Sequence, residues 1–465
     1  MRLDEIPLSG YGYASSTPSP VNRMMADFAL KFRDGIDINL GVGYVNERAI
    51  PKGLIEEAQR EVLAHPEKYR AALNYGGSKG SVNLIESIRR YHLDNRIGGM
   101  DEEILESKEI IIGPNGATSL LDGVSHLLNP GIVITTDPIY YIYCNLLERS
   151  GFHVLAVPED EYGIRTDLLQ KSIGELGEAR QEIRFVYIVT VNNPTSTILS
   201  NGRRRELVRI VTELSRDLNR KIPIIFDKAY EDLIHDHLAE APESGFLYDD
   251  LGIVYEVGTL SKILAPALRI GYMTGARCAF MRAMVQRTND VGFSAPLITQ
   301  EIASYIMDHH INDQLTKVRV GYRERAVAVR RWIDDAVGDF IVDIRGGRAG
   351  FYYYLTFEEG IMTDEGSPLH RFLSRTTGDP NIDGSPIEKK PRVLYLPGEF
   401  CVHPAGSLAE VGRRQMRLSY GFEEPGKIED AIGYLREGVD YVKGDSDITY
   451  PCQHYRPAMG TNHNI

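Results

Sequence analysis

FVYIVTV (185–191), NNPTSTILS (192–200), NGRRRELVRIVTELSRDLNRK (201–221), IPIIFD (222–227): the pattern in these consecutive residues decides the fold. The first and last runs are apolar throughout rather than alternating, which suits strands covered on both faces. Between them Leu207, Ile210, Val211, Leu214 and Leu218 recur at helical spacing. Strand, helix, strand is the unit of a parallel sheet, and its crossover is right-handed. Working outward, similar runs recur at EIIIG (109–113), GIVITT (131–136), HVLAV (153–157), IVYEVG (253–258) and RIGYMTG (269–275). The expectation is an α/β large domain built on a mainly parallel, doubly wound, seven-stranded sheet.

After about residue 325 the pattern changes. A long amphipathic helix is predicted over 312–337, strands at FIVDI (340–344), GFYYYLTF (350–357) and RVLYLPG (392–398), and a last helix over 427–442. The segment 363–391, rich in Gly, Pro, Ser and Asp, reads as a long surface excursion. The division expected is an N-terminal segment (1–45) joining the small domain, a large domain (46–325), a smaller α+β domain (326–443) and a polar tail (444–465).

Composition narrows the function class. The 465 residues carry a formal net charge of −13, which argues against a nucleic-acid partner. The basic run Arg203, Arg204, Arg205 reads as a solvated helix face. Cys144, Cys278, Cys401 and Cys452 are far apart and form no CxxC pair, so neither a metal site nor a disulfide framework is expected. No apolar run reaches the roughly 18–20 residues of a membrane span, and the N-terminus shows no secretory pattern. The cytoplasm is the default compartment.

The chemistry concentrates in Gly258-Thr-Leu-Ser-Lys-Ile-Leu-Ala-Pro-Ala-Leu-Arg-Ile-Gly-Tyr272. Thr259, Ser261, Lys262, Arg269, Gly271 and Tyr272 follow the order small hydroxylated residue, Ser, Lys, an Arg seven residues on, then Gly-Tyr. In this pattern, and over about residues 38–425, the chain resembles the class I/II aminotransferases of pyridoxal-5′-phosphate (PLP) fold type I. The resemblance is nearest to the branch holding α-aminoadipate and kynurenine aminotransferases, and to the effector domains of related bacterial regulators.

The resemblance implies a set of roles. Lys262 holds PLP as a Schiff base; an amine pushed toward its neutral form by burial and nearby cations suits that bond. Arg269 offers phosphate a planar fork of donors, joined by the hydroxyls of Thr259 and Ser261. Asp227, in Asp227-Lys-Ala-Tyr230, matches the partner of the pyridine nitrogen, and Tyr230 the partner of the ring's phenolic oxygen. Read alone, Asp227 also fits a helix cap. Lys228 alternates away from Asp227 along an extended segment.

Asn193, in Val191-Asn-Asn-Pro-Thr-Ser196, matches the Asn of an Asn-Pro-Thr-Gly turn, with Ser196 where glycine is usual. Asn115, Gly116 and Ala117 match a phosphate cup at a helix N-terminus. Tyr140 matches the ring stacked on the cofactor, although Tyr141 and Tyr143 stand beside it. Tyr75 matches a residue reaching the phosphate of the other subunit, which implies a homodimer with shared active sites. Arg417 matches the clamp on the substrate α-carboxylate, and Gly41, Val42 and Gly43 match the substrate loop.

The reaction implied is transfer of the α-amino group of an amino acid to a 2-oxo acid by a ping-pong mechanism. Lys262, Asp227 and Tyr230 would be its catalytic residues. The same site type supports a PLP-dependent lyase, cyclase or oxidase; Ser196 and the 363–391 insertion keep that alternative open. A third reading is a non-catalytic PLP-binding regulator, disfavoured by the roughly 35 residues ahead of Ile38-Asn-Leu-Gly41.

Overall fold

The computed structural model of the chain describes residues 6–385 and 390–444. Eight strands form the large sheet: β1 (Lys108–Ile112), β2 (Ile132–Asp137), β3 (His153–Asp160), β4 (Gly163–Ile164), β5 (Ile183–Val189), β6 (Ile224–Asp227), β7 (Val254–Thr259) and β8 (Gly271–Ala276). Their spatial order is β1-β8-β7-β6-β5-β2-β3-β4. The strands β3, β2, β5, β6 and β7 run parallel, while β8 is antiparallel to both neighbours. All seven sequence runs become strands. The eighth, β4, corrects the expected count: it is a two-residue return against β3, too short to show a period, turned at Gly163 with φ +101°. The segment 260–270 makes the reversal between β7 and β8, and it carries Lys262.

The continuous apolar runs have a direct cause. Phe185, Tyr187 and Val189 of β5 enter the core on one face of the sheet, and Val186 and Ile188 enter a separate core on the other. Helix α1 (Gly116–Leu127) buries Leu120, Leu121 and Val124, all three in the core that holds Phe185. Helix α2 (Asn201–Asp217) begins at Ser200, whose hydroxyl accepts from the Arg203 N–H at 3.3 Å.

The Arg203–Arg205 run needs correcting. Arg204 is fully buried; its guanidinium donates to Glu231 at 2.8 Å and lies over the Phe226 ring. Residues three, four and seven positions on, Leu207, Val208 and Val211, are buried too, so position 204 falls on the inward face of the helix. Removing one member of a buried ion pair strands its partner's charge. Arg204→Ala is expected to lower the unfolding free energy by about 3 kcal/mol, read as a lower denaturant midpoint.

The remainder packs around a long helix, α3 (Ile311–Val337), and a terminal one, α4 (Pro425–Lys443). Between them β9 (Ile341–Gly346), β10 (Tyr352–Phe357), β11 (Leu396–Pro397) and β12 (Gln415–Ser419) form an antiparallel sheet in the order β9-β10-β12-β11. The run RVLYLPG splits in two: Val393–Leu394 pairs in parallel with Ile38–Asn39, and Leu396–Pro397 pairs with β12.

The excursion at 363–391 is only partly at the surface. Ser367 caps a helix over Pro368–Ser374, whose Leu369 and Phe372 are buried against Gly438 of α4. A Cβ at Gly438 would lie 2.7 Å from Leu369 and 3.0 Å from Phe372, so glycine there admits the helix. A turn-rich composition hid an amphipathic helix of two turns. Residues 386–389, and the tail from 445 onward, lie outside the described residues. Among the described residues no helix is long and apolar enough to cross a membrane, and no group of His, Cys, Asp and Glu is arranged to hold a metal ion.

Candidate active site

Four strand ends supply the centre of the site. Tyr140 follows β2, Asn193 follows β5, Asp227 closes β6 and Thr259 closes β7. This is the carboxyl edge of the sheet, where open α/β folds take their ligands. Two connected cavities lie here. The smaller, about 150 Å³, is lined by Asp227, Thr259, Ser261 and Ala117; the larger, about 300 Å³, by Gly41, Val42, Gly43 and Arg417. Tyr140, Asn193, Tyr230, Lys262 and Arg269 line both.

Asp227 lies at one end of the smaller cavity. Its carboxylate accepts from the Tyr187 hydroxyl at 2.9 Å and from the Ala229 N–H at 3.0 Å. Burial raises its pKa, opposed by those two donors and by the Lys262 charge. Lys228 turns away, as alternation predicts, and its amine meets Glu231 and Glu256, both at 3.0 Å.

At the other end Arg269 donates to the Asn115 side chain at 2.8 Å and to the Asn115 carbonyl at 3.0 Å. Gly116 opens α1 with φ +70°, and a Cβ there would lie 2.9 Å from the Arg269 guanidinium. Thr259 and Ser261 place their hydroxyls 3.0 Å apart. A carboxylate at one end, a guanidinium, two hydroxyls and a helix N-terminus at the other, and an amine between them match a molecule with a protonated ring nitrogen and a phosphate. The donor set therefore fits PLP.

In the larger cavity the Arg417 guanidinium bonds Asn193 Oδ1 at 2.6 Å and the Gly41 carbonyl, and lies 4.3 Å from the Tyr352 ring centre. Asn39 accepts from the N–H groups of Gly41 and Val42 at 3.1 and 2.8 Å, which fixes the loop before Gly43. Ser196 adopts φ +54°, the left-handed conformation that glycine favours, so the exchange leaves the Asn193 turn intact. Glu159 secures that turn by accepting from Thr195 at 2.6 Å and Asn192 at 2.9 Å.

The three neighbouring tyrosines separate cleanly. Tyr143 packs edge-on against Tyr187 in the core, Tyr141 donates to Glu148, and Tyr140 lines the cavities. Tyr75 alone among the expected residues is not brought to the site in this chain. It is 77% exposed and rests against Phe293.

The sequence profile of the aminotransferases of class I and II matches residues 36–363. The chain belongs to that family. An aromatic-amino-acid aminotransferase of Thermococcus litoralis is 25% identical over 408 residues, covering 86% of this chain and 88% of its own. An uncharacterized HTH-type transcriptional regulator of Bacillus subtilis is 24% identical over 397 residues, covering 85% and 72% respectively. Among solved structures, a kynurenine aminotransferase of Pyrococcus horikoshii, determined in complex with PMP, shares the fold with a TM-score of 0.77 and 21% identity over 94% of this chain and 97% of its own. The chain is thus a PLP-dependent aminotransferase of fold type I, acting on amino and 2-oxo acids.

In this aminotransferase the Lys262 amine is held by the Gly43 carbonyl at 3.3 Å, with the rings of Tyr230 and Phe351 5.6 and 5.8 Å away. Burial, then the charges of Arg417 and Arg269, bring its pKa down to about 8, against the pull of Asp227.

Two residues of the site escaped the sequence reading. Tyr187 supports Asp227 from inside β5, where a tyrosine looks like any core aromatic. Tyr352 places its hydroxyl 2.8 Å from that of Tyr230 and its ring under Arg417. The run GFYYYLTF signals a strand but not which tyrosine serves the site: Tyr353 bonds the Ala326 carbonyl and Tyr354 bonds Gln415.

Proposed function

We propose that Lys262 is the residue that carries the cofactor and moves the substrate proton in transamination. The observation that carries this reading is the partly buried Lys262 amine, its pKa depressed to about 8, at the junction of the two cavities between Asp227 and the two arginines. PLP, when bound, supplies an aldehyde carbon and an electron-accepting ring.

The chain's own groups do the rest. Asp227 keeps a proton on the ring nitrogen. Tyr230 and the Asn193 amide hold the phenolic oxygen, and Tyr140 covers the ring face. Arg269, Thr259, Ser261 and the N–H groups of Gly116 and Ala117 hold the phosphate, with Asn115 orienting Arg269. Arg417 clamps the α-carboxylate above the loop Gly41-Val42-Gly43. Lys262 Nζ, once free and neutral, takes the proton from the substrate Cα. One site serves both substrates in turn, which makes the kinetics ping-pong.

The working unit in this reading is a homodimer. Tyr75 is offered to the phosphate of a second copy; its exposure, with that of Leu73 and Phe293 nearby, supports a surface meant to be covered. The domain division keeps residues 1–45 with 326–443 around a large domain of 46–325, a reading supported by the pairing of Ile38–Asn39 with Val393–Leu394. The enzyme works in the cytoplasm, without nucleic-acid or membrane partners.

The test is loading of the cofactor-free protein. Lysine is nucleophilic only when neutral, so the rate of covalent PLP capture should rise with pH and level off above a midpoint near pH 8. Borohydride should then fix the cofactor to Lys262. A fixed adduct on another lysine, or none, overturns the assignment.

A further inference from the structure

We propose that the amino-acid substrate carries a neutral, apolar side chain, received between the helix Pro20–Lys31 and the segment 396–401. The proposal rests on the reading in which Lys262 carries the cofactor and Arg417 holds the α-carboxylate. With those two groups placed, the rest of the larger cavity is left for the substrate's side chain.

That remainder is mostly apolar, with the phenols of Tyr44 and Tyr141 also lining it. Val21, Met24 and Met25 occupy positions i, i+3 and i+4, one face of their helix, and all three line the cavity. Ile142, Leu396 and Phe400 extend this wall, and the six form one apolar cluster with Cys401.

The charged lining residues are Lys262, Arg269 and Arg417, each already committed; no carboxylate lines the cavity among the described residues. Arg269 is engaged by Asn115, and Arg417 by Asn193 and Gly41. Arg23, on the same helix as the two methionines, pairs with Glu365 at 3.2 Å and is not among the lining residues. An acidic or basic substrate side chain would therefore be desolvated with no counter-ion from this chain's described residues, a large cost. An aliphatic or aromatic one gains the burial of its apolar surface. The flexible thioethers of Met24 and Met25 can fit themselves to either shape.

The experiment uses the loaded enzyme. Single half-reactions with leucine, methionine, phenylalanine, glutamate, aspartate and lysine are followed by the cofactor's absorbance, with products identified by mass. A separate calorimetric titration compares two unreactive acids, 4-methylpentanoate and glutarate, for binding to the same protein. We expect kcat/KM at least about tenfold higher for the apolar group, and 4-methylpentanoate bound at least about tenfold more tightly than glutarate, the scale on which apolar pockets discriminate. Met25→Arg should shift the binding ratio toward glutarate by about tenfold or more. A preference for acidic or basic amino acids by an enzyme whose Lys262 is loaded overturns the specificity alone. Absence of both half-reaction and borohydride-fixed cofactor on Lys262 overturns the site assignment and the specificity with it.

Discussion

Lys262→Ala is expected to reduce kcat for transamination by about 100- to 10,000-fold, the range that removal of a positioned general base commands. The same variant should no longer retain cofactor on the chain after borohydride treatment. The physical reason lies in how this amine is held. Desolvation in the cavity disfavours its charged form, and Arg417 and Arg269 repel it further, so that its pKa falls from the free-lysine value to about 8. Near neutral pH a useful fraction is an unprotonated nucleophile and base. Lys262→Arg keeps a cation but stays protonated, and it should be as inactive as the alanine variant. The Arg269, Ser261 and Asp227 side chains remain in both variants, so PLP should still bind, though without the covalent link. Equilibrium dialysis of the cofactor separates loss of chemistry from loss of binding. Wild-type activity in Lys262→Ala would sink the assignment.

Much of this site was legible before the structure because its residues sit at strand ends, and strand ends follow from the apolar runs. Asp227 closes IPIIFD, Asn193 follows FVYIVTV and Thr259 closes IVYEVG. Their convergence at one edge is a property of parallel sheets, not of these residues alone. What the sequence concealed falls into two physical kinds. Short elements carry too few residues to show a period: the two-residue strand β4 and the helix over 368–374 were missed for this reason. Side-chain partnerships across long sequence separations leave no local trace. Glu231 buries Arg204 from 27 positions away, and Tyr230 meets Tyr352 across 122. Charge patterning read Arg204 as solvated because the run is basic, but helical phase placed it inside, beside an anion, Glu231, that makes burial tolerable.

The second large effect is at Asp227. Asp227→Asn preserves shape and the hydrogen bond from the Ala229 N–H, but removes the negative charge that keeps a proton on the cofactor ring. Without that charge the ring is a weaker electron acceptor where negative charge develops. Loss of one preorganised electrostatic partner of this kind costs about 100- to 1,000-fold in kcat. KM should change much less, because Arg417 still holds the α-carboxylate. Tyr187→Phe tests the same point from behind. Its hydroxyl donates to Asp227 at 2.9 Å and favours the ionised carboxylate, against the burial that raises the pKa. Removing that donor must move the Asp227 pKa further up, so the acid limb of the kcat profile should shift toward neutral pH while activity on the plateau falls only modestly. A Tyr187→Phe profile displaced to lower pH would have the wrong sign for a carboxylate that must stay charged. An Asp227→Asn enzyme with unchanged kcat would show that this charge takes no part in the chemistry.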